Sequence, residues 1–337
     1  MAMFAPPAPA QSQSGRLERV SLSGHDYVRL RDWAAANGFQ MRWVNRDKEV
    51  ALSDKRGRQV RLAINSAEAE VNGVKFWLSH PVLAAGSAVC VSRQDLQSAL
   101  QPLFFPAKNP PGQKVKLVML DPGHGGKDTG NRVGSQTEKK FTLLLAFDVR
   151  EQLKKSGVKA ALTRSTDAFI ELPDRTAKAQ QLGADLFVSL HFNATEQGRS
   201  EVKGAEVYCL TPVGVSSTNA RGEGADSPWA SGNRNNDKNI LLAWELQHAL
   251  LHNLGAEDRG VRRARFAVLR DARMPAALIE AGFMSHPVEG RKIFDSAYRH
   301  EIAVAIASGI LAYKRQVEGG NSPTNSISPK TNTTTSR

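Results

Sequence analysis

From Val115 onward the chain alternates short apolar runs with longer amphipathic ones, and this alternation narrows the possible fold more than any other feature. Residues 115–120, 158–163, 186–190, 204–210, 266–269 and 276–279 read as strands. Residues 138–156, 173–182, 237–254 and 298–314 read as helices. The first of these carries Phe141, Leu144, Leu145, Val149 and Leu153 near one face and is stopped by Gly157. Strands separated by helices imply an α/β fold, with a mainly parallel, twisted sheet covered by helices on both faces.

Residues 16–105 have a different pattern. A strand at 27–30 leads to a short helix at 31–37 ended by Gly38. The runs 41–44, 49–52 and 59–64 alternate with period two. Asn72-Gly73, between 69–71 and 74–78, is a strong hairpin signal. A strand at 88–91 and a helix at 93–100 close the unit, a small β-rich α+β domain with no metal cluster, paired carboxylates or nucleophile motif of its own. Residues 106–114 hold three prolines, a glycine and two lysines, and read as a linker. The expected organisation is thus a disordered or signal-peptide remnant over 1–15, a stalk or binding domain over 16–105, the linker, a catalytic domain over 115–316, and a disordered Ser/Thr/Asn-rich tail over 317–337. Within the second domain, 211–236 reads as a long, polar, mobile loop without a strong helix.

Composition removes several classes. The net charge of +12 favours an anionic partner but does not choose among nucleic acid, anionic lipid and cell-wall polymer. The two cysteines, Cys90 and Cys209, fall on opposite sides of the linker, so neither a disulfide framework nor a thiolate zinc site is available. No apolar run is long enough for a membrane span. No nucleic-acid recognition motif or aromatic-basic platform is visible. Ala8-Pro9-Ala10 before Gln11 reads like the tail of a signal peptide.

Four residues carry the chemistry. His124 follows the first strand of the second domain, between Gly123 and Gly125; His191 and Glu280 follow two others; Glu138 opens a helix. In a parallel sheet the C-terminal strand ends share one rim, where sites are built. Two imidazoles and a carboxylate suit Zn²⁺ better than Mg²⁺ or Ca²⁺, and three protein ligands leave a position open for catalysis. A further carboxylate, Glu280, flanked by Leu278, Ile279, Ala281 and Phe283, suits a general acid/base with a raised pKa. Taken singly, each residue also has a plain reading: a turn histidine, a buried histidine, a helix-start carboxylate, an ion-pair partner of Arg270 or Arg273. Taken together, three strand ends and one helix start are hard to ascribe to coincidence. Other motifs fail: Val304 stands where the helical zinc motif begun by His300-Glu301 needs its second histidine, and Asp128 stands where a P-loop needs Ser or Thr.

The segments 120–128, Glu138-Lys139, Thr163-Arg164 with Asp167 and Arg175, 184–194 and 277–285 resemble the zinc-dependent N-acetylmuramoyl-L-alanine amidases of the bacterial cell envelope. The resemblance implies His124, Glu138 and His191 as Zn²⁺ ligands and Glu280 as catalytic acid/base. The implied reaction is hydrolysis of the amide joining the lactyl group of N-acetylmuramic acid to L-alanine, with peptidoglycan as partner and the envelope, periplasm or exterior as location. Phe192 replaces the family's common alanine and is expected to alter pocket shape, and Gln180 stands where asparagine is common. Asn193, beside the ligand His191, is a candidate substrate contact. In the basic stretch 259–265, Arg262 and Arg263 are candidates for a clamp on stem-peptide carboxylates, against the plain reading of a solvated basic face. The first domain loosely resembles the N-terminal domain of copper amine oxidases, without copper ligands. The alternatives are another zinc peptidase or deacetylase and a non-catalytic wall-binding protein.

Overall fold

The structure, a computed structural model, describes residues 17–218 and 228–319. The first unit runs β1 (Arg19–Leu22), β2 (His25–Arg29), α1 (Leu30–Ala36), β3 (Phe39–Asn45), β4 (Glu49–Asp54), β5 (Gln59–Ala63), β6 (Glu68–Val71), β7 (Val74–Trp77), β8 (Leu83–Ala85) and β9 (Ala88–Ser92). It ends in α2 (Arg93–Asp95), a π-helical turn (Leu96–Leu100) and α3 (Gln101–Phe104). The Asn72-Gly73 hairpin forms as expected, with φ of 48° and 80° at the two turn residues.

The second unit runs β10 (Leu117–Pro122), the small hairpin β11 (Arg132–Val133) and β12 (Gln136–Thr137), α4 (Glu138–Lys155), β13 (Lys159–Leu162) and α5 (Leu172–Gln181). It continues through β14 (Leu186–Asn193), β15 (Ala205–Leu210), α6 (Asn236–Leu254), β16 (Asp258–Ala264), α7 (Ala267–Arg270), β17 (Ala276–Phe283), α8 (Glu289–Phe294) and α9 (Ser296–Glu318). Asp295 caps α9 by accepting from the backbone N–H groups of Ala297 and Tyr298.

Eleven strands form one sheet in the order β13-β10-β14-β17-β15-β16-β7-β6-β5-β4-β3. The first four are parallel. β15 runs antiparallel to β17, and β16 is parallel to β15, so two strands oppose the expected direction. β7 joins β16 in parallel through Val261 and Phe76, which makes the sheet continuous across both units. One face packs Val118, Val188, Val207 and Ile279 under α4, α6 and α9. The other buries Met119, Phe187, Tyr208 and Leu278 against Ala179 of α5 and Val268 and Leu269 of α7.

Several expectations are corrected. Of the strand expected over 266–269, residues 267–269 instead lie in α7, a helical turn that begins after Phe266 (φ −58°, ψ 139°). The basic stretch is itself strand β16. β1, β8 and α8 were not expected. Residues 317–318 belong to α9 and not to a tail. The linker is fastened: Lys108 Nζ donates to the Gln316 carbonyl, the Asn109 N–H to the Val317 carbonyl, and Lys238 Nζ to Asn109 Oδ1. The expected leader (1–15), most of the tail, and 219–227 of the polar loop lie outside the described residues; the loop's described part includes a 3₁₀ turn, Ser231–Asn235. Cys90 and Cys209 are both buried and free. Among the described residues no helix is long and apolar enough to cross a membrane.

Candidate active site

Adjacent parallel strands deliver two of the four residues in register. His191 on β14 lies opposite Glu280 on β17, and Glu280 lies opposite Glu206 on β15, so a polar row crosses three neighbouring strands. Both His191 and Glu280 lie within their strands and not after them, which fixes their side-chain direction by the pleat. His124 follows β10, the strand on the other side of β14, and Glu138 is the first residue of α4.

His124, Glu138 and His191 each offer a ligand atom, and these atoms lie within 4.8 Å of one another. Among the described residues this is the one such group of three or more. Nε2 of His124 is 3.1 Å from Glu138 Oε2, and Nδ1 of His191 is 2.9 Å from Glu138 Oε1. The imidazole rings stand edge to face at 4.9 Å between centroids. Glu138 is only 1% exposed, and the Asn131 and Phe192 N–H groups donate to its two oxygens. Burial works to raise its carboxyl, but hydrogen bonds with His124 and His191 outweigh that and hold it well below the carboxylate range. Burial likewise pulls the His124 imidazole down, while Glu138 and then Asp128 overcome this and leave it raised.

The loop carrying His124 is tightly held. His124 has φ of 63°, an uncommon conformation for a residue with a side chain. Arg175 Nη2 donates to its carbonyl at 3.0 Å, and Arg164 donates to the Pro122 and Gly123 carbonyls. Buried Asp121 receives Thr163, Ser189 and Arg175. The second ring nitrogen of His124 meets Asp128 Oδ2 at 2.8 Å, the arrangement by which a carboxylate orients a metal-ligating imidazole. Two glycines make room: a Cβ on Gly123 would stand 2.1 Å from the His191 ring, and one on Gly130 would stand 2.5 Å from the His124 ring and 2.6 Å from Glu138 Oε2.

Oε2 of Glu280 is buried and has no hydrogen-bond partner among the described residues. Burial, then the charges of Glu138 and Glu206, push its carboxyl well above the ordinary range. It pairs with neither Arg270, which is bound to Asp271, nor Arg273. Glu206 is 3% exposed; its Oε1 accepts from Asn193 Nδ2 and Tyr208 OH, its Oε2 accepts from Arg259 Nε, and Arg262 Nε lies 2.9 Å from that Oε2 as an ion pair.

The structure therefore brings His124, Glu138, His191 and Glu280 together, with Asn193 two residues after His191 on β14 and hydrogen-bonded to Glu206. Arg262 faces the same row. Arg263 does not: successive strand residues point to opposite faces, and its side chain is 2% exposed, donating to the carbonyl and hydroxyl of Ser98 in the first unit. The clamp expectation fails for Arg263. The Phe192 expectation also fails, because its ring lies in the helix-covered core and only its N–H reaches Glu138. Sequence reasoning assigned no role to Asp128, Glu206 or Arg259. A carboxylate four residues after a site histidine, and another inside the apolar run of β15, were the available signals.

Comparison with known proteins follows the same segments. The family described as N-acetylmuramoyl-L-alanine amidase matches residues 118–312, and the copper amine oxidase N-terminal domain matches residues 17–102. The N-acetylmuramoyl-L-alanine amidase AmiA of Salmonella typhimurium is 38% identical over 226 residues, covering 59% of this chain and 76% of that protein. AmiA of Escherichia coli is 37% identical over 235 residues, covering 61% and 78%. Among solved structures, the amidase AmiC2 of Nostoc punctiforme aligns with a TM-score of 0.50 at 34% identity, covering 60% of this chain and 98% of that one. The matched span runs from β10 into α9 and contains all four site residues, and the chain belongs to the N-acetylmuramoyl-L-alanine amidase family.

Proposed function

We propose that this chain is a zinc-dependent peptidoglycan hydrolase that cleaves the amide between the lactyl group of N-acetylmuramic acid and L-alanine of the stem peptide. The observation that carries this reading is the convergence of His124, Glu138 and His191 within 4.8 Å beside a buried, unpartnered oxygen of Glu280. The donor set fits Zn²⁺: two imidazole nitrogens and one carboxylate, with Asp128 behind one imidazole and two backbone N–H groups behind the carboxylate. Bound there, Zn²⁺ supplies Lewis acidity, polarising the scissile carbonyl and lowering the pKa of water to roughly 7.

The chain's own residues do the rest. Glu280, opposite His191 in register, takes a proton from the attacking water and returns it to the departing alanine nitrogen. Its raised proton affinity suits it to hold that proton between the two steps. Asp128 fixes the tautomer and direction of His124. Asn193, anchored by Glu206, lines the row as a substrate contact. Residues 115–316 are the catalytic unit, and 16–105 a wall-binding unit docked on its sheet. The substrate places the protein at the cell envelope, outside the cytoplasm.

Digestion of purified cell wall tests the reading. New L-alanine amino termini with intact glycan are expected, and a chelator should abolish their release. Glu280→Gln should reduce the rate by about 10²–10⁴-fold while leaving zinc content unchanged. Release of other termini would instead support a different zinc peptidase or deacetylase, and unchanged wall degradation by the Glu280→Gln protein would sink the assignment.

A further inference from the structure

The row that begins at the histidine cluster does not end at Glu280. It continues through Glu206 on β15 to Arg259 and Arg262 on β16. Glu206 Oε2 lies 3.3 Å from Arg259 Nε and 2.9 Å from Arg262 Nε, so one carboxylate oxygen serves two guanidiniums. The other oxygen is taken by Asn193 and Tyr208. Among the described residues neither arginine has another acidic partner, and the pair retains one net positive charge.

Both guanidiniums are stacked as well as bonded. Arg259 Cζ lies 4.9 Å from the Phe283 ring centroid, and Arg262 Cζ lies 5.0 Å from that of Trp77, a residue of the first unit. Stacking and the shared carboxylate fix both planes before any ligand arrives. Arg259 donates to Glu206 through Nε, and Arg262 Nε, ion-paired with the same oxygen, donates to the Arg259 carbonyl at 3.3 Å, so the Nη groups of both are left without side-chain partners among the described residues. The side chains keep 28% and 18% of their surface exposed. Preformed guanidinium planes with free Nη donors match the two oxygens of a carboxylate.

Distance selects which carboxylate. β16 lies two strands from β17, or about 10 Å at roughly 4.8 Å per strand. The guanidiniums reach back to Glu206 on β15, one strand from Glu280, and an extended peptide advances about 3.3–3.6 Å per residue, so some two to three residues separate the cleaved bond from the arginines.

We propose that Arg259 and Arg262, held by Glu206 and backed by Phe283 and Trp77, form a subsite for a free carboxylate on the second or third residue of the peptide arm. This rests on the amidase reading for the direction of the substrate. The first unit thereby supplies one wall of the substrate groove, through Trp77.

The test uses the full-length zinc protein and two soluble muropeptides that differ only in whether that carboxylate is free or amidated. Binding is measured by calorimetry on the Glu280→Gln protein, and turnover on the unmodified one. The free acid should bind roughly tenfold more tightly, and the preference should weaken as salt is raised. Arg259→Gln and Arg262→Gln should each bring the ratio towards one, mainly through KM in the turnover assay. Arg262→Lys keeps the charge but not the fork, and should retain part of it. Equal binding of the two muropeptides, or a preference surviving both glutamine variants, overturns the subsite. Absence of turnover on either muropeptide counts against the amidase reading alone, because the binding ratio is read without cleavage.

Discussion

At the scale of single residues the site depends on space as much as on ligands. A Cβ at Gly123 would stand 2.4 Å from Nε2 and 2.6 Å from Nδ1 of His191, well inside any permitted contact. The same ring holds Glu138 Oε1 at 2.9 Å through Nδ1, so it cannot move aside without disturbing that contact. Gly123→Ala is therefore expected to displace His191 and lower zinc content severalfold or more, while the melting temperature stays within a few degrees. Metal analysis alongside thermal melting checks this, and full zinc occupancy in the alanine protein would refute it. Asp128→Asn acts through direction: it keeps the volume but removes the charge that orients His124. An affinity loss of about 10–100-fold for zinc is expected, read by competition with a chelator, with the fold intact. These residues were only partly legible in the sequence. His124, Glu138, His191 and Glu280 stand out as polar groups at the edges of apolar runs. Asp128 and Glu206 act through a second side chain, and nothing local says which side chain that is.

At the scale of elements, periodicity found what is periodic. α4, α6 and α9 each carry an apolar face long enough to register, and the Asn72-Gly73 turn fixes its hairpin locally. β16 was not recognised because Asp258-Arg259-Gly260-Val261-Arg262-Arg263-Ala264 places charges on both faces; tertiary partners, Glu206 on one side and Ser98 on the other, make that tolerable. Residues 266–269, three of them in α7, read as a strand because four apolar residues carry no period. The α6–α9 interface holds a further consequence. Glu245 of α6 is 5% exposed, and burial, against the smaller effects of Arg315 and Gln316, pushes its carboxyl from 4.5 up to about 7. The folded state then holds a proton that the unfolded chain has released, so this group favours folding less as pH rises from the unfolded value through about 7. Above that range the buried charge costs on the order of a few kcal/mol. Glu245→Gln should accordingly raise the melting temperature at pH 8 and change it little at pH 4.5. A gain of equal size at both pH values would show that the carboxyl is not buried as described.

At the scale of the whole molecule, the two units expected to be joined by a linker over 106–114 share a sheet and a core. β7 and β16 pair, and Asp258 Oδ2 accepts the Lys75 N–H at 2.7 Å. Trp244 of α6 donates to the Val71 carbonyl, and Arg263 buries its guanidinium against Ser98. Trp33 and Leu100 of the first unit belong to the same buried cluster as Leu246 and Ile306 of the second. No sequence pattern announces this, because which strand edges meet is a non-local matter and a basic run reads as surface until its partner is known. A module on a flexible tether would unfold independently. A shared core couples the halves, since opening one exposes apolar surface of the other. Calorimetry of the full chain should therefore show one transition, with the calorimetric and van't Hoff enthalpies in agreement. Arg263→Ala strips Ser98 of its partner and opens a void at the junction, and should shift that single transition down by several degrees without splitting it. Two resolved transitions in the unaltered protein, or a variant in which only the first unit melts earlier, would mean that the sheet is continuous in form but not in energy. Trp77 would then be a movable wall of the substrate groove and not a fixed one.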